Sequence, residues 1–482
     1  MSRSRISITV FGALALAACN ADRIDPVGPL VPSALRSVSA AAPQRYIVLA
    51  NGSGFKADFA ARVAALGGTV EQLHNGAGIA VVSNVSASAA SKIGKFAEVS
   101  DLQADAVFTL DAPLAAKQSE IESVSINSVS NPTAGLRYIW QWDMPLIKAN
   151  VAWAAGKLGD AGVTVAILDT GLDYDSFDLN GLVDLSRSKS FVPSDDSLAT
   201  AFFPTRNKVT DFNGHGTNVA QTVSSKAFVF AGVTSKTTLI GVKVLGASGS
   251  GSESGVLNGV LWAADHGADV ANMSLGGSFE KNGAGRFTSF INRVFSYAAS
   301  KGMLVVVSAG NAAADLDHNG NVESAYCDVP HVVCVSSVGP ALATDNPSMF
   351  SAYSNFGRSA ISVAAPGGNA DLENLTVSNW PWGVDFASWV WSMCAKNYIS
   401  GMSGGVPVTP CAAGNRLTGY IGTSQASPHV AGLAALLVAQ QGHGRPAQIK
   451  NAILQSATDL GQPGTDPFYG RGLIDVKKAL GL

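Results

Sequence analysis

The chain has 482 residues, 47% of them hydrophobic and 14% charged, with a formal net charge of −3. That length exceeds one modest domain and suffices for a large core. So little charge, and no polybasic stretch, argues against a nucleic-acid partner, and 51 glycines in so apolar a chain fit a turn-rich enzyme rather than a disordered one.

Residues 1–18 read as an export signal, because Arg3 and Arg5 precede the apolar run Ile6–Ala18, which is too short to span a bilayer. Leu16-Ala17-Ala18-Cys19 has the form of a bacterial lipoprotein box, which makes Cys19 the lipidation candidate. Ordinary cleavage after a small residue is the alternative. Either way the chain is expected to be secreted, touching a membrane only through such an anchor. Residues 19–44, rich in Pro, Ala and Ser, read as a tether.

A small α+β unit is predicted over 45–111. Its strands are Tyr46–Leu49, Thr69–His74, Ile79–Ser83 and Ala106–Leu110, and its helices Lys56–Leu66 and Ser86–Phe96, in ferredoxin-like order. Residues 112–139 carry few large apolar side chains and read as an exposed linker.

From Trp140 to Leu482 strands and helices alternate. Val163–Leu168, Thr238–Leu245, Val270–Met273, Leu304–Val307, Val332–Val338 and Ile361–Ala364 read as strands, Gly255–Asp265 and Phe287–Lys301 as helices. The alternation predicts an α/β fold with a parallel sheet and helices on both faces. With Cys19 set aside, Cys327, Cys334, Cys394 and Cys411 are an even number in an exported chain. They allow three pairings, and proximity favours Cys327–Cys334 with Cys394–Cys411. Metal binding by these cysteines lacks Cys-x-x-Cys spacing.

Four motifs carry chemistry. The buried strand before Asp169-Thr170-Gly171 delivers a carboxylate to the crevice at the strand ends of an open α/β sheet. His215 opens a helix between Gly214 and Gly216, and Asn311 follows the strand Met303–Val307. In Gly422-Thr423-Ser424-Gln425-Ala426-Ser427-Pro428-His429, Ser424 stands at a helix N-terminus, where free N–H groups favour developing negative charge. Taken singly, each has a plain structural reading: a helix cap, a loop carboxylate, a turn histidine. His429 reads as a core residue and His266 as a helix C-terminal residue.

In this order the motifs Asp-Thr-Gly, His-Gly-Thr, Ala-Gly-Asn and Gly-Thr-Ser-x-Ala-Ser-Pro-His resemble those of the subtilisin-like serine proteases, over roughly residues 140 to 482. The resemblance implies Ser424 as nucleophile, His215 as general base and acid, and Asp169 as its orienting carboxylate. It implies an oxyanion hole from Asn311 and the Ser424 N–H, and no cofactor for the chemistry. Substrate polypeptides would lie as added strands along Ser248, Gly249 and Ser250 and along Ser274, Leu275 and Gly276, near Ala309 and Gly310. The N-terminal unit resembles the family's propeptide, an intramolecular chaperone and inhibitor, which puts a processing site between Leu110 and Trp140. A monomer is expected.

The chain also departs from the family pattern. Asn218 replaces a usual His and Gln425 a usual Met. Ser224–Phe230 lacks the Asn-rich loop of a family calcium site, leaving Asp178 as a remnant ligand. A separate calcium candidate is Asp315, Asp317, Asn319 and Glu323, which resembles the start of an EF-hand loop but has Tyr326 in place of its bidentate Glu. The segment 367–421 is longer than a minimal member needs and holds Trp380, Trp382, Trp389 and Trp391. Two rivals to the protease reading are an inactive binding protein, although all three catalytic residues are present, and an esterase, although Gly-x-Ser-x-Gly is absent at Ser424.

Overall fold

A computed structural model gives the architecture. The described residues are 44–482 apart from 53, 111–115, 122–128, 277, 281–286, 319, 321, 325, 341–344 and 370–387. The expected signal, the tether, Cys19, Trp380 and Trp382 lie outside them, as do Asn319 and the side chain of Glu323.

The N-terminal unit is a four-stranded antiparallel sheet in the order Thr69–His74, Ile79–Val85, Gln44–Ala50, Val99–Ala104. Phe59, Val63, Ala89 and Ile93, from the helices Phe59–Ala64 and Ala87–Ile93, fill a core with Val48, Ala80 and Val82. Ser86 caps the second helix by accepting the Ala89 N–H at 3.2 Å. The fourth strand differs from expectation. Val99–Ala104 takes that place, although its sequence alternates poorly, because Gln44–Ala50 offers an unpaired edge. The expected strand at Ala106–Leu110 instead leaves the sheet, and its Val107–Thr109 pairs antiparallel with Ser250–Ser252 of the larger unit.

The larger unit is built on seven strands in the order Val363–Pro366, Val332–Val338, Leu304–Ser308, Val270–Met273, Thr164–Asp169, Thr238–Lys243, Lys189–Ser190, every neighbour parallel. Both faces are covered, so the strands other than the edge pair Lys189–Ser190 are buried and mostly apolar. Val165, Ile167 and Val306 face a core shared with the helices His215–Val223 and Thr423–Gln441. Ala166, Leu168 and Val305 face the helices Glu253–Asp265 and Phe287–Ser300. Ile47, Leu49, Ala77 and Ile79 of the N-terminal unit join that second core.

Within the stretch expected to be a linker, Ala116–Glu120 forms a strand on Arg416–Tyr420, which in turn pairs with Val390–Met393. Its composition does not announce a strand, since the pairing comes from the edge beside it. The disulfides are Cys327–Cys334 and Cys394–Cys411, the pairing that proximity favoured. Trp389 and Trp391 are buried with Phe230, Tyr353 and Leu417, so in this part of 367–421 the tryptophans are packing residues.

Candidate active site

Asp169 closes its strand with no exposed surface. The chain turns at once through Gly171 at φ +111°, where an added Cβ would meet the Val209 carbonyl oxygen at 2.5 Å. Beside it, a Cβ on Gly216 would lie 2.2 Å from the Gly171 oxygen. The glycines of Asp-Thr-Gly and His-Gly-Thr are therefore two sides of one backbone contact. That contact brings His215 Nδ1 to 2.8 Å from Asp169 Oδ1, and the same oxygen accepts the Thr170 N–H at 2.7 Å. An ionised carboxylate only accepts, so Nδ1 carries the hydrogen and Nε2 keeps its lone pair. Burial pushes the His215 imidazole down, but the Asp169 carboxylate and then Asp211 outweigh it, and the net displacement is upward.

Asp211, also fully buried, ties the two motifs together. Its Oδ1 accepts from Thr170 Oγ1, Asn213 N and Gly214 N at 2.8–2.9 Å, and its Oδ2 from Thr217 N and Oγ1 at 2.9 and 2.6 Å. It thereby holds the first turn of the His215 helix against the residue that follows Asp169. Tyr420 stands edge-on to the His215 ring with centroids 6.3 Å apart.

Ser424 lies in the first turn of Thr423–Gln441, a helix buried over nearly its whole length. Pro428 has no N–H to give the Ser424 carbonyl four residues back. Ser274 Oγ supplies the missing donor at 2.6 Å, while the Ser424 hydroxyl donates to the Ser274 carbonyl at 3.1 Å. The proline thus fixes a reciprocal contact between the Ser424 turn and the end of the Val270–Met273 strand. Asn311 Oδ1 accepts both Thr423 N and Thr423 Oγ1, at 2.8 and 2.9 Å. Those bonds define which end of the amide is oxygen, and they leave Nδ2 on the side where Gly422 lies, 3.5 Å from an added Cβ there.

A model described as the Subtilase family matches residues 160–472. The chain belongs to the subtilase family. Alkaline elastase YaB from Bacillus sp. (strain YaB) is 32% identical over 342 residues, covering 70% of this chain and 69% of that protein. Subtilisin DY from Bacillus licheniformis is 32% identical over 340 residues, covering 70% and 97%. The crystal structure of an epidermin leader peptide processing serine protease from Staphylococcus aureus shares the fold with a TM-score of 0.70 at 23% identity, covering 92% of this chain and 99% of that one. The protein is accordingly a subtilisin-like serine peptidase, and peptides are its substrate class.

In this subtilase the two departures from the family pattern meet. Gln425 Nε2 donates to Asn218 Oδ1 at 3.1 Å, and Asn218 Nδ2 bonds the Val390 carbonyl and Ser392 Oγ at 3.2 and 3.0 Å. The pair links the His215 helix to the residue after Ser424. Neither residue's partner is evident from its own segment of sequence.

Of the expected substrate-contacting residues, Gly249 and Ser250 are engaged by the subtilase's own N-terminal unit. Leu110 N donates to Gly249 O at 2.8 Å, and Thr109 is the register partner of Ser250, with their hydroxyls 2.8 Å apart. Ser248 borders this edge, Leu275 is buried, and a Cβ on Gly276 would meet open space. Ala309 and Gly310 turn their polar groups inward: Asn355 Nδ2 reaches Ala309 O at 2.9 Å, and Gly310 N reaches Thr423 Oγ1 at 3.0 Å.

The candidate calcium ligands have protein partners. Asp315 takes the His318 ring at 2.9 Å and the Asp317 N–H at 3.0 Å, and Asp317 takes Ser359 Oγ at 2.5 Å. Asp178 is fully buried, and its two oxygens accept the N–H groups of Val229 and Phe230, each at 3.0 Å. Backbone donors stand where a cation would have to bind, so the residues at Asp178 do not fit a metal. Among the described residues no group of three or more His, Cys, Asp or Glu is arranged to hold one. His429 is buried against Asp143 at 3.0 Å, and His266 closes the helix Glu253–Asp265 on Trp262 O at 2.8 Å, both in structural settings.

Proposed function

We propose that this subtilase is a secreted serine endopeptidase made as a self-inhibited zymogen. Ser424 Oγ forms the bond to the scissile carbonyl carbon while its proton passes to His215 Nε2. Asp169 holds the ring and the charge it acquires. Asn311 Nδ2 and the Ser424 N–H bind the oxyanion. Collapse of the tetrahedral species breaks the C–N bond, and His215 returns the proton to the departing amine. Water then repeats the cycle on the acyl-enzyme. To begin, the Ser424 hydroxyl must turn from the Ser274 carbonyl toward the imidazole.

The observation that carries this reading is the buried 2.8 Å bond between His215 and Asp169, on a helix joined through Asn218 and Gln425 to the turn of Ser424. The zymogen reading is supported by the strand Val107–Thr109 on the substrate edge Ser250–Ser252. Leu110 bonds that edge, and Ala116–Glu120 pairs with Arg416–Tyr420, just before Ser424. On this reading the maturation cut, expected between Leu110 and Trp140, falls between Leu110 and Ala116. An anchor on Cys19 would stay with the removed part, so maturation would free the peptidase. Hydrolysis of casein by the purified protein, and its disappearance in Ser424→Ala, tests the proposal. Equal hydrolysis by both proteins would refute it.

A further inference from the structure

Lys243 ends the strand beside that of Asp169, and the two are register partners. Its side chain has no exposed surface, and its ammonium stands 5.2 Å over the Phe212 ring. An ammonium has three donors and no acceptor. Here they meet three oxygens: the Thr170 carbonyl, the Thr210 carbonyl at 3.2 Å and Asp195 Oδ2 at 3.0 Å. Thr170 follows Asp169 and Thr210 precedes Asp211, so one cation holds the main chain beside both carboxylates that raise the His215 proton affinity. Asp195 comes from the first turn of the helix Pro193–Phe202 and is buried as well. Its Oδ2 also accepts the Ala247 N–H at 2.9 Å. The Ala247 carbonyl takes Asn213 Nδ2 at 3.0 Å, and Asn213 N donates to Asp211 Oδ1. Both polar groups of Ala247, two residues before Gly249, are thus fixed by side chains that lead back to the triad.

We propose that Lys243 and Asp195 are positioning residues, a buried ion pair that locks the substrate edge to the triad, so that a peptide lying along Gly249 and Ser250 speeds bond breaking and does not only bind more tightly. The proposal rests on the function proposed above. Such a pair is not required for stability as such, since apolar residues of like volume often replace a buried ion pair without loss. What they cannot supply is this three-way contact. They would take the ammonium away from Thr170 and Thr210 and the carboxylate away from Ala247, leaving the edge free to shift against the triad. A displacement of about 1 Å at a reacting centre costs roughly 10²-fold in rate. Asp195 also lines, with Val107, Ser248 and Ser250, the cavity beside the edge, so the pair lies next to any chain seated there. Substrate residues far from the scissile bond then act on kcat, because their binding is felt at the reacting atoms.

The test uses the chain after it has processed itself and two anilides with the same leaving group, preceded by one residue or by four of a sequence the enzyme cuts in casein. Extension should raise wild-type kcat by about 2- to 150-fold, the range of coupling between groups in one network. In the double variant Asp195→Leu with Lys243→Met the ratio of the two kcat values should fall close to one. Asp195→Asn keeps the shape and leaves Lys243 on its two carbonyls, and should lower the ratio part of the way; it decides the matter if the double variant does not fold. A merely structural role would lower both kcat values equally and keep their ratio. That result, or a wild-type kcat indifferent to extension, would overturn the proposal. Absence of self-processing, or of hydrolysis of either anilide, would count against the proposed function instead. Hydrogen exchange on the uncut chain then decides the pair. Exchange in the double variant should quicken together at 170–171 and 247–249 with the strand Val332–Val338 unchanged; a rise at one segment alone, or one spread over the whole sheet, rejects it.

Discussion

His215 is where the smallest scale decides most. The imidazole is closed off from water, a setting that by itself favours the neutral ring, yet Asp169 and Asp211 together raise its proton affinity. A base acts when deprotonated, so kcat/KM should rise with pH through a midpoint above the ordinary histidine value. Asp211→Asn removes one of the two carboxylates and should move that midpoint to lower pH, measured as the acid limb of the rate profile on a short peptide. Asn311→Ala should lower kcat by roughly 10²–10³ with KM little changed, since in the proposed mechanism the amide binds charge that appears only in the transition state. The candidates Asp169, His215, Asn311 and Ser424 stand out in the sequence because each belongs to a short glycine-containing motif. Asp211 and Thr423 do not. Their roles depend on which backbone and side-chain donors surround them, and those donors come from other segments.

Among the elements, the loop that follows the His215 helix shows how a missing ligand set is replaced. Asp178 accepts the N–H groups of Val229 and Phe230 at 3.0 Å, and Lys226 N bonds the Asp178 carbonyl at 2.8 Å, so this loop is held by main-chain donors. Asp178→Asn puts an amide N–H toward one of those donors and should lower stability by about 1–3 kcal/mol. The drop in thermal midpoint should be the same with and without a chelator; a drop that appears only without chelator would mean a cation is held there. Burial pushes this carboxyl up to about 6, so its ionisation opposes folding. Its share of stability is greatest below the ordinary aspartate range and declines as pH rises to about 6. The seven-stranded sheet was readable from continuous apolar runs such as Thr164–Asp169. Val99–Ala104 and Ala116–Glu120 were not, because an edge offered elsewhere makes each of them a strand.

For the whole molecule, the central feature is that the N-terminal unit pairs with the edge proposed to receive substrate. The N-terminal sheet packs Ile47, Leu49 and Ile79 against the helices Glu253–Asp265 and Phe287–Ser300, and Val107–Thr109 extends from it along Ser250–Ser252. A parallel sheet assembled from distant segments folds slowly, and we propose that the N-terminal unit, packed in the same core as two of its helices, assists that assembly. The sequence marked out the two units, and the resemblance implied a processing site between Leu110 and Trp140. The narrower place proposed for the cut was not legible, since it depends on where the chain meets Gly249 and leaves along Tyr420. The most direct measurement is therefore to label the purified protein with a fluorophosphonate and determine both the modified residue and the N-terminus of the labelled chain by mass spectrometry. The account predicts a label on Ser424, lost in His215→Ala, on a chain that begins between Asp111 and Ala116. A chain that has lost its N-terminal unit yet leaves Ser424 unlabelled, or a label on Ser424 that persists unchanged without His215, would contradict it.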